Sequence, residues 1–371
     1  MATNADRSPT PSLRAKIAGV LYGAACADAL GGPVEGLDHR TIAQRHGRVD
    51  AMLPYTAPVM EHAHFTHEPG SVTDDTRLHR ITCAALLDSG GRPSAGDLAL
   101  AIDAWREAHP DALSRSFIEE YHRAGLYRER KPPFGGHPTN GAIMSNHAIG
   151  AVHACDPHEA FRVAFELAYI TDGYAKEAAA LHAASVAAAM RPGATPEAVT
   201  QEAFAVADAF RRDGPYWART VREQDWARFE GRPNHELVER ALDAVRAHGD
   251  DPEALRDRLY ERLYVSPVGS EAGQTLAVAL AMLHLHGGAY RETVVSAVAY
   301  GRDNDSYATV AGAVAGALGG IETVPDPWRD AVDAANPWLD LPALADDLGA
   351  LVRRLQEDRR RTSRDVEALL G

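Results

Sequence analysis

The chain has 371 residues and a formal net charge of −14, with 45% hydrophobic and 24% charged residues. This composition is ordinary for a globular protein with a large core, and the acidic excess argues against binding to nucleic acid or to an anionic membrane. It does not exclude an anionic small substrate, because a bound cation can reverse the local field.

The cysteines Cys26, Cys83 and Cys155 are widely spaced in Ala-rich, helix-like surroundings. We expect three buried free thiols, which fits a reducing compartment. Residues 1–12 are polar, lack the apolar core of a signal peptide and are predicted to form a disordered tail. No apolar run reaches about 18 residues free of charge, so we predict a cytoplasmic protein without a transmembrane helix.

Helical periodicity dominates the chain, and Gly and Pro mark the ends of most segments. In the first half, helices are predicted over residues 12–30, 37–45, 78–87, 94–109, 114–124, 142–155, 156–170 and 174–190. In the second half, they are predicted over residues 195–212, 217–230, 235–248, 252–264, 270–285, 290–299, 305–318, 326–334, 342–355 and 362–369. With no period-2 strand pattern and no linker, residues 13–371 are predicted to form one all-α domain.

Two helix starts carry recognisable capping sequences. Ser94-Ala95-Gly96-Asp97 fits a capping box with Asp in place of Glu. Asp156-Pro157-His158-Glu159 combines an N-cap Asp with Pro at the first helical position.

Carboxylates stand beside apolar helices at three distant places. Asp303 and Asp305 lie between two apolar runs, Glu35 follows the first helix, and Thr73-Asp74-Asp75 precedes another apolar helix. Taken alone, Asp303 to Ser306 fits a helix N-cap and turn. If the three segments meet, their oxygen-only donors suit Mg²⁺, Mn²⁺ or Ca²⁺ and not zinc, and a cation pair would relieve the repulsion among the carboxylates.

Three further stretches have both a functional and an ordinary interpretation. His62, His64 and His67 fit either a metal cluster or a loop with scattered histidines, and the loop is favoured because no Cys or further His partner is evident. Gly135–Gly141 is either a loop that wraps a diphosphate or a surface loop. Asp172 is either a site residue or part of an Asp-Gly turn.

The order of these motifs resembles the ADP-ribosylglycohydrolase family, over roughly Lys16 to Gly320. The segment from Gly23 through Asp28 to Glu35 is similar to the opening helix of that family and its following glutamate, and Thr73-Asp74-Asp75-Thr76 is similar to its first metal motif. The segment from Gly301 to Gly316 resembles its second metal motif.

The resemblance implies a compact, orthogonal all-α bundle with two Mg²⁺ ions in a cleft, Mn²⁺ being an alternative. The implied metal ligands are Thr73, Asp74, Asp75, Asp303, Asp305 and Ser306. The implied catalytic residues are Glu35, Asp74 and Asp305. Glu35 is implied to act as the acid/base or to position a water near the scissile bond. The implied substrate-binding residues are Gly135, Gly136, His137, Asn140, Gly141, Asp172, Tyr174 and Arg302.

The implied reaction is Mg²⁺-dependent hydrolysis of an N- or O-ribosyl bond through an oxocarbenium-like transition state, on an ADP-ribosyl conjugate or a related ribosylated metabolite. The cations would hold the ribose hydroxyls and a water. The partner is then a small molecule or an ADP-ribosylated substrate, and the sequence gives no oligomeric state. Ser306 keeps the hydroxyl of the usual Thr, whereas Ser145, Asp172 and Arg302 depart from the family pattern. A non-catalytic binder and a scaffold protein without activity are the alternatives.

Overall fold

The computed structural model describes residues 11–55, 68–109, 139–168, 171, 174–213, 232–264 and 270–370. These residues form fifteen α-helices and no β-strand, which confirms the predicted all-α class. The first eight are α1 Leu13–Gly31, α2 His39–His46, α3 Asp74–Asp88, α4 Ala95–Ala108, α5 His147–Val152, α6 Pro157–Leu167, α7 Tyr174–Ala189 and α8 Pro196–Asp213. The other seven are α9 Pro233–His248, α10 Pro252–Leu263, α11 Ala272–Leu285, α12 Tyr290–Tyr300, α13 Asn304–Gly319, α14 Asp326–Ala335 and α15 Leu341–Leu370.

Helices α1 and α13 form the centre of the fold and pack against each other through glycines. An ideal Cβ on Gly19 would lie 2.3 Å from the carbonyl oxygen of Gly316, and one on Gly312 would lie 2.3 Å from that of Gly23. The two backbones therefore approach more closely than any side chain would permit. Nearly every residue of both helices is buried, which explains why their sequences are apolar all round.

Helix α1 begins where Ser12 accepts a hydrogen bond from the backbone N–H of Ala15 at 3.1 Å. By length and composition alone, Leu13–Val34 is apolar enough to cross a membrane, although it contains Lys16 and Asp28. Of its most apolar 18-residue stretch, 94% is buried inside the protein. The core helix of a soluble protein can be equally long and apolar.

Several predicted helices differ in extent from the structure. The helix predicted over 142–155 is shortened to α5, and residues 141–145 form turns before it, where the Ser145 hydroxyl donates to the carbonyl of Gly141 at 2.8 Å. The helices predicted over 342–355 and 362–369 are one continuous helix, α15. Residues 356–361 between them are Gln, Glu, Asp and Arg, with no Gly or Pro to end a helix.

Both predicted caps are confirmed. Ser94 and Asp97 form the reciprocal capping box, and Asp156 accepts a hydrogen bond from the N–H of Glu159 at 3.1 Å. One cysteine prediction is wrong: Cys26 and Cys83 are buried free thiols, but Cys155 is exposed. Cys155 occupies the turn between α5 and α6 with a φ of 63°, outside either helix.

Some predictions lie outside the described residues. These are the helices over 114–124 and 217–230 and the tail up to residue 10. The loop that carries His62, His64 and His67 also lies outside them.

Candidate active site

The structure brings the three acidic segments to one end of the α1–α13 pair. Glu35 directly follows a 3-10 turn, Gly32–Val34, that extends α1, and Asp303 occupies the N-cap position of α13. Gly31 allows this meeting, since an ideal Cβ there would lie 2.6 Å from the Cα of Asp305. Thr73 begins α3, where its hydroxyl accepts from the N–H of Asp75 at 3.2 Å.

Backbone hydrogen bonds tie the Glu35 loop to the Asp303 loop. The N–H of Gly36 donates to the carbonyl of Arg302 at 2.7 Å, and the N–H of Arg302 donates to the carbonyl of Leu37 at 2.6 Å. Gly301 has a φ of +83°, and an ideal Cβ there would lie 2.5 Å from that same Leu37 oxygen. Only glycine fits this position without strain.

The carboxylates of Glu35, Asp303 and Asp305 converge, each offering an oxygen within 4.8 Å of the others. Burial, followed by repulsion from Asp303 and Asp74, raises the pKa of Glu35 to about 8. Burial is also the main cause that raises the pKa of Asp303 to about 6. Repulsion among these carboxylates therefore favours the binding of protons or of a cation.

Asp75 and Ser306 extend the cluster to the first motif. The Ser306 hydroxyl donates to Oδ1 of Asp75 at 3.2 Å, while Oδ2 of Asp75 and Oδ1 of Asp305 are buried with no hydrogen-bond partner among the described residues. Burial raises the pKa of both carboxyl groups well above the usual range. Oxygen atoms that are buried, unpaired and mutually repulsive fit a hard divalent cation.

The N-cap interpretation of Asp303 does not describe its side chain, which makes no capping hydrogen bond to α13. Instead, its Oδ2 accepts a hydrogen bond from Nδ2 of Asn140 at 2.5 Å. The same amide group donates to the hydroxyl of Thr275 at 3.2 Å. Asn140, predicted to bind substrate, is therefore seen to orient a carboxylate of the cluster.

The other predicted substrate residues have varied positions. The Gly141 carbonyl accepts a hydrogen bond from the Ser145 hydroxyl, and the buried Tyr174 side chain hydrogen-bonds to Glu271, the N-cap residue of α11. Arg302, at a φ of 63°, places its guanidinium 4.2 Å from the ring centre of Tyr260. Outside the described residues lie Gly135, Gly136, His137 and Asp172.

Sequence reasoning missed Asp28. This residue is fully buried in α1, and its carboxylate accepts hydrogen bonds from the N–H groups of Thr73 and Thr76. The available signal was a single acid in the apolar run from Cys26 to Leu30, because an acid in a buried helix needs a partner.

Taken together, the fold and the site define an all-α protein whose candidate active site is a buried set of carboxylates and hydroxyls at the ends of α1, α3 and α13. The family model named ADP-ribosylglycohydrolase matches residues 9–361. The chain therefore belongs to the ADP-ribosylglycohydrolase family, as the motif order predicts. Membership indicates a glycosidase-type hydrolase that acts on ADP-ribosyl-type substrates, in a family of soluble enzymes.

The chain is similar to two further proteins along most of its length. The Escherichia coli (strain K12) protein named "Uncharacterized protein YegU" is 25% identical over 330 residues, which cover 86% of this chain and 92% of that protein. A solved structure named "ADP-ribosylglycohydrolase-related protein complex" has a TM-score of 0.61 at 22% identity and covers 92% of this chain and 99% of its own. The second likeness concerns the fold alone.

Proposed function

We propose that this protein is a Mg²⁺-dependent hydrolase that cleaves an N- or O-ribosyl bond in an ADP-ribosyl conjugate or a related ribosylated metabolite. The observation that carries the proposal is the convergence of Glu35, Asp303 and Asp305 within 4.8 Å. These side chains come from opposite ends of the chain, and a family of glycohydrolases supplies the type of reaction.

The donor set fits two Mg²⁺ ions, with Mn²⁺ as an alternative, because it contains only carboxylate and hydroxyl oxygens. The residues that would hold the ions are Thr73, Asp74, Asp75, Asp303, Asp305 and Ser306. When bound, Mg²⁺ supplies positive charge that polarises substrate hydroxyls and makes a water a better nucleophile. The unpaired buried oxygens of Asp75 and Asp305 support this fit.

Glu35 is the residue that we assign to proton transfer. Burial and repulsion from Asp303 raise its pKa, and Glu35 is outside the proposed set of cation ligands, so its carboxylate is available to accept and donate a proton. Asp303, held by Asn140, keeps its carboxylate turned towards Glu35. Negative charge on these carboxylates stabilises the positive charge that develops on the sugar ring when a glycosidic bond breaks.

Arg302 is the residue that we assign to the anionic part of the substrate. Its guanidinium lies 4.2 Å from the ring centre of Tyr260 and 5.4 Å from that of Tyr264. A guanidinium held in this way can recognise the diphosphate of an ADP-ribosyl substrate. Gly135, Gly136, His137, Gly141, Asp172 and Tyr174 complete the proposed binding set.

A second candidate function is binding of ADP-ribose or a ribosylated metabolite without turnover. One observation favours it. Where the family often has an Arg, this chain has Ser145, whose hydroxyl is buried and donates to the backbone carbonyl of Gly141 at 2.8 Å. This position therefore offers no cation to a substrate.

The test is turnover of ADP-ribosyl-arginine, ADP-ribosyl-serine and a nucleoside panel with Mg²⁺ and with EDTA. We expect hydrolysis of at least one compound, abolished by EDTA and reduced about 10³-fold or more in Asp305→Asn, the scale of losing a main electrostatic contact. Asp333→Asn is the matched control, since that exposed acid lies outside the carboxylate cluster and accepts a hydrogen bond from the Tyr22 hydroxyl. Hydrolysis that is insensitive to EDTA would refute the proposal, and Mg²⁺-dependent binding without turnover would select the second candidate.

A further inference from the structure

Asp28 is a carboxylate without exposure in a helix that is otherwise apolar around it. Its neighbours Ala27 and Ala29 are also fully buried, and Leu30 completes the next turn. An unpaired carboxylate in such surroundings would cost several kcal/mol, so its partners must be sufficient to keep it there. None of the ligand or catalytic roles assigned above involves Asp28.

Among the described residues, the hydrogen-bond partners of Asp28 belong to a single turn. The N–H of Thr73 donates to both carboxylate oxygens at 3.1 Å, and the N–H of Thr76 donates to Oδ2 at 3.2 Å. The Thr76 hydroxyl donates to the same Oδ2. Asp28 thus binds both ends of the segment Thr73–Thr76.

This arrangement places a carboxylate from α1 at the N-terminus of α3. The first N–H groups of a helix have no partner within the helix, and negative charge is stabilised there. Four hydrogen bonds fill most of the acceptor positions of one carboxylate, and Oδ2 alone accepts three. Asp28 is therefore occupied in holding the turn and does not compete for the place of a cation ligand.

The two residues inside the segment are Asp74 and Asp75. Because both ends of the segment are fixed to α1, the peptide groups that carry these two carboxylates have little freedom to rotate. Oδ1 of Asp75 accepts from Ser306 on α13, so the same segment is connected to both central helices.

We propose that Asp28 is a positioning residue for the cation-binding end of α3. It fixes the Thr73–Thr76 turn so that Asp74 and Asp75 present their carboxylates towards those of α13. The inference rests on the metal centre in the proposed function. Partners that orient a ligand usually change metal affinity by about 10- to 100-fold when they are removed, and we expect a change of this size here.

The experiment is a titration of the full chain with Mn²⁺. The electron paramagnetic resonance signal distinguishes the free ion from the bound ion at each step. Asp28→Asn keeps the shape but turns an NH₂ group towards the donors of the turn, and we expect affinity to fall about 10- to 100-fold. Thr76→Val removes only the hydroxyl donor, with an expected fall of several-fold, whereas Thr76→Ser keeps it and should bind like the unchanged protein.

Lys16→Met is the matched control for lost stability. Lys16 is buried on the same helix, about 18 Å away along the axis, and donates to the carbonyls of Ala189 and Ala317 at 2.9 and 2.7 Å. We expect this variant to melt at a lower temperature with unchanged Mn²⁺ affinity.

The outcomes separate the two proposals. If the unchanged protein does not bind Mn²⁺, the proposed function fails, and this inference fails with it. If the unchanged protein binds and Asp28→Asn binds equally well, only the positioning role is overturned. If Asp28→Asn fails to fold, the two Thr76 variants decide. Unchanged Mn²⁺ affinity in Thr76→Val overturns the positioning role. Weakened affinity in Thr76→Val, with unchanged affinity in Thr76→Ser, supports it.

Discussion

Gly316 lies where α13 crosses α1, and an alanine there should force the two helices apart. An ideal Cβ would lie 1.9 Å from the carbonyl oxygen of Gly19 and 2.6 Å from its carbon. Ordinary contact requires about 3.5 Å, so the axes must separate by more than about 1 Å. The clash is with backbone, which cannot rotate away as a flexible side chain can.

The expected net cost of Gly316→Ala is about 2 kcal/mol. Overpacking of a close-packed interior costs about 1–3 kcal/mol, and rigid backbone on both sides favours the upper part of that range. Replacing Gly by Ala inside a helix offsets this by up to about 1 kcal/mol. For a chain of 371 residues, whose unfolding entropy is about 0.8 kcal/mol/K, we expect the melting temperature to fall by about 2–3 °C.

Gly349→Ala in α15 is the matched control. The nearest atoms to an ideal Cβ there lie 3.7–3.9 Å away, which is ordinary contact. This variant should gain about 0.5–1 kcal/mol, because alanine loses less backbone freedom on folding. Urea unfolding followed by circular dichroism measures both changes. If Gly316→Ala proves as stable as Gly349→Ala, the glycine contact does not set the distance between α1 and α13.

Three further predictions concern charge. Mn²⁺ affinity should rise from pH 6 to pH 8, because protons compete with the ion for a cluster in which the pKa of Glu35 is raised to about 8. Titration calorimetry in two buffers should show that protons are released when Mn²⁺ binds. Burial lowers the pKa of His182 to about 3 from about 6.5 in the unfolded chain, so the free energy of unfolding falls as the pH drops below 6.5. In urea unfolding, His182→Leu should reduce this loss of stability between pH 7 and pH 5 by about 2 kcal/mol. Arg302→Gly should change stability by less than about 1 kcal/mol in the same assay, because release of a left-handed φ of 63° offsets the lost stacking on Tyr260.

Each of these has a result that would contradict it. Affinity for Mn²⁺ that does not depend on pH would mean that the carboxylates carry no protons in the cation-free cluster. An unchanged acid sensitivity in His182→Leu would show that its unpaired ring nitrogens find a partner when protonated. A loss well above 1 kcal/mol in Arg302→Gly would show that stacking outweighs the backbone strain.

Helical periodicity was sufficient to predict the all-α class, and the motif order identified the acidic segments without showing that they meet. Gly31 and Gly301 permit their close approach, since an ideal Cβ at either position would meet backbone of the other segment. The helix caps at Ser94 and Asp156 were equally local, since a cap depends on residues within one turn.

Contacts between residues that are distant along the chain could not be predicted from the sequence. Asp28 and Thr76 lie 48 residues apart, and nothing in either segment indicates that they pair. Likewise, nothing in the sequence around Arg302 indicates that its guanidinium lies over the ring of Tyr260. The extents of α5 and α15 also differ from the prediction, because periodicity marks apolar faces and does not fix where a helix begins or ends.

The partnership of α1 with α13 also affects the order in which the protein folds during synthesis. Roughly 270 residues separate the end of α1 from the start of α13, which takes about 15–55 s to translate at usual rates. During that interval helix α1 has no glycine-lined partner, although its composition would suit a membrane. The emerging chain must keep α1 in solution until α13 arrives, so only a nearly finished polypeptide can assemble the carboxylate cluster.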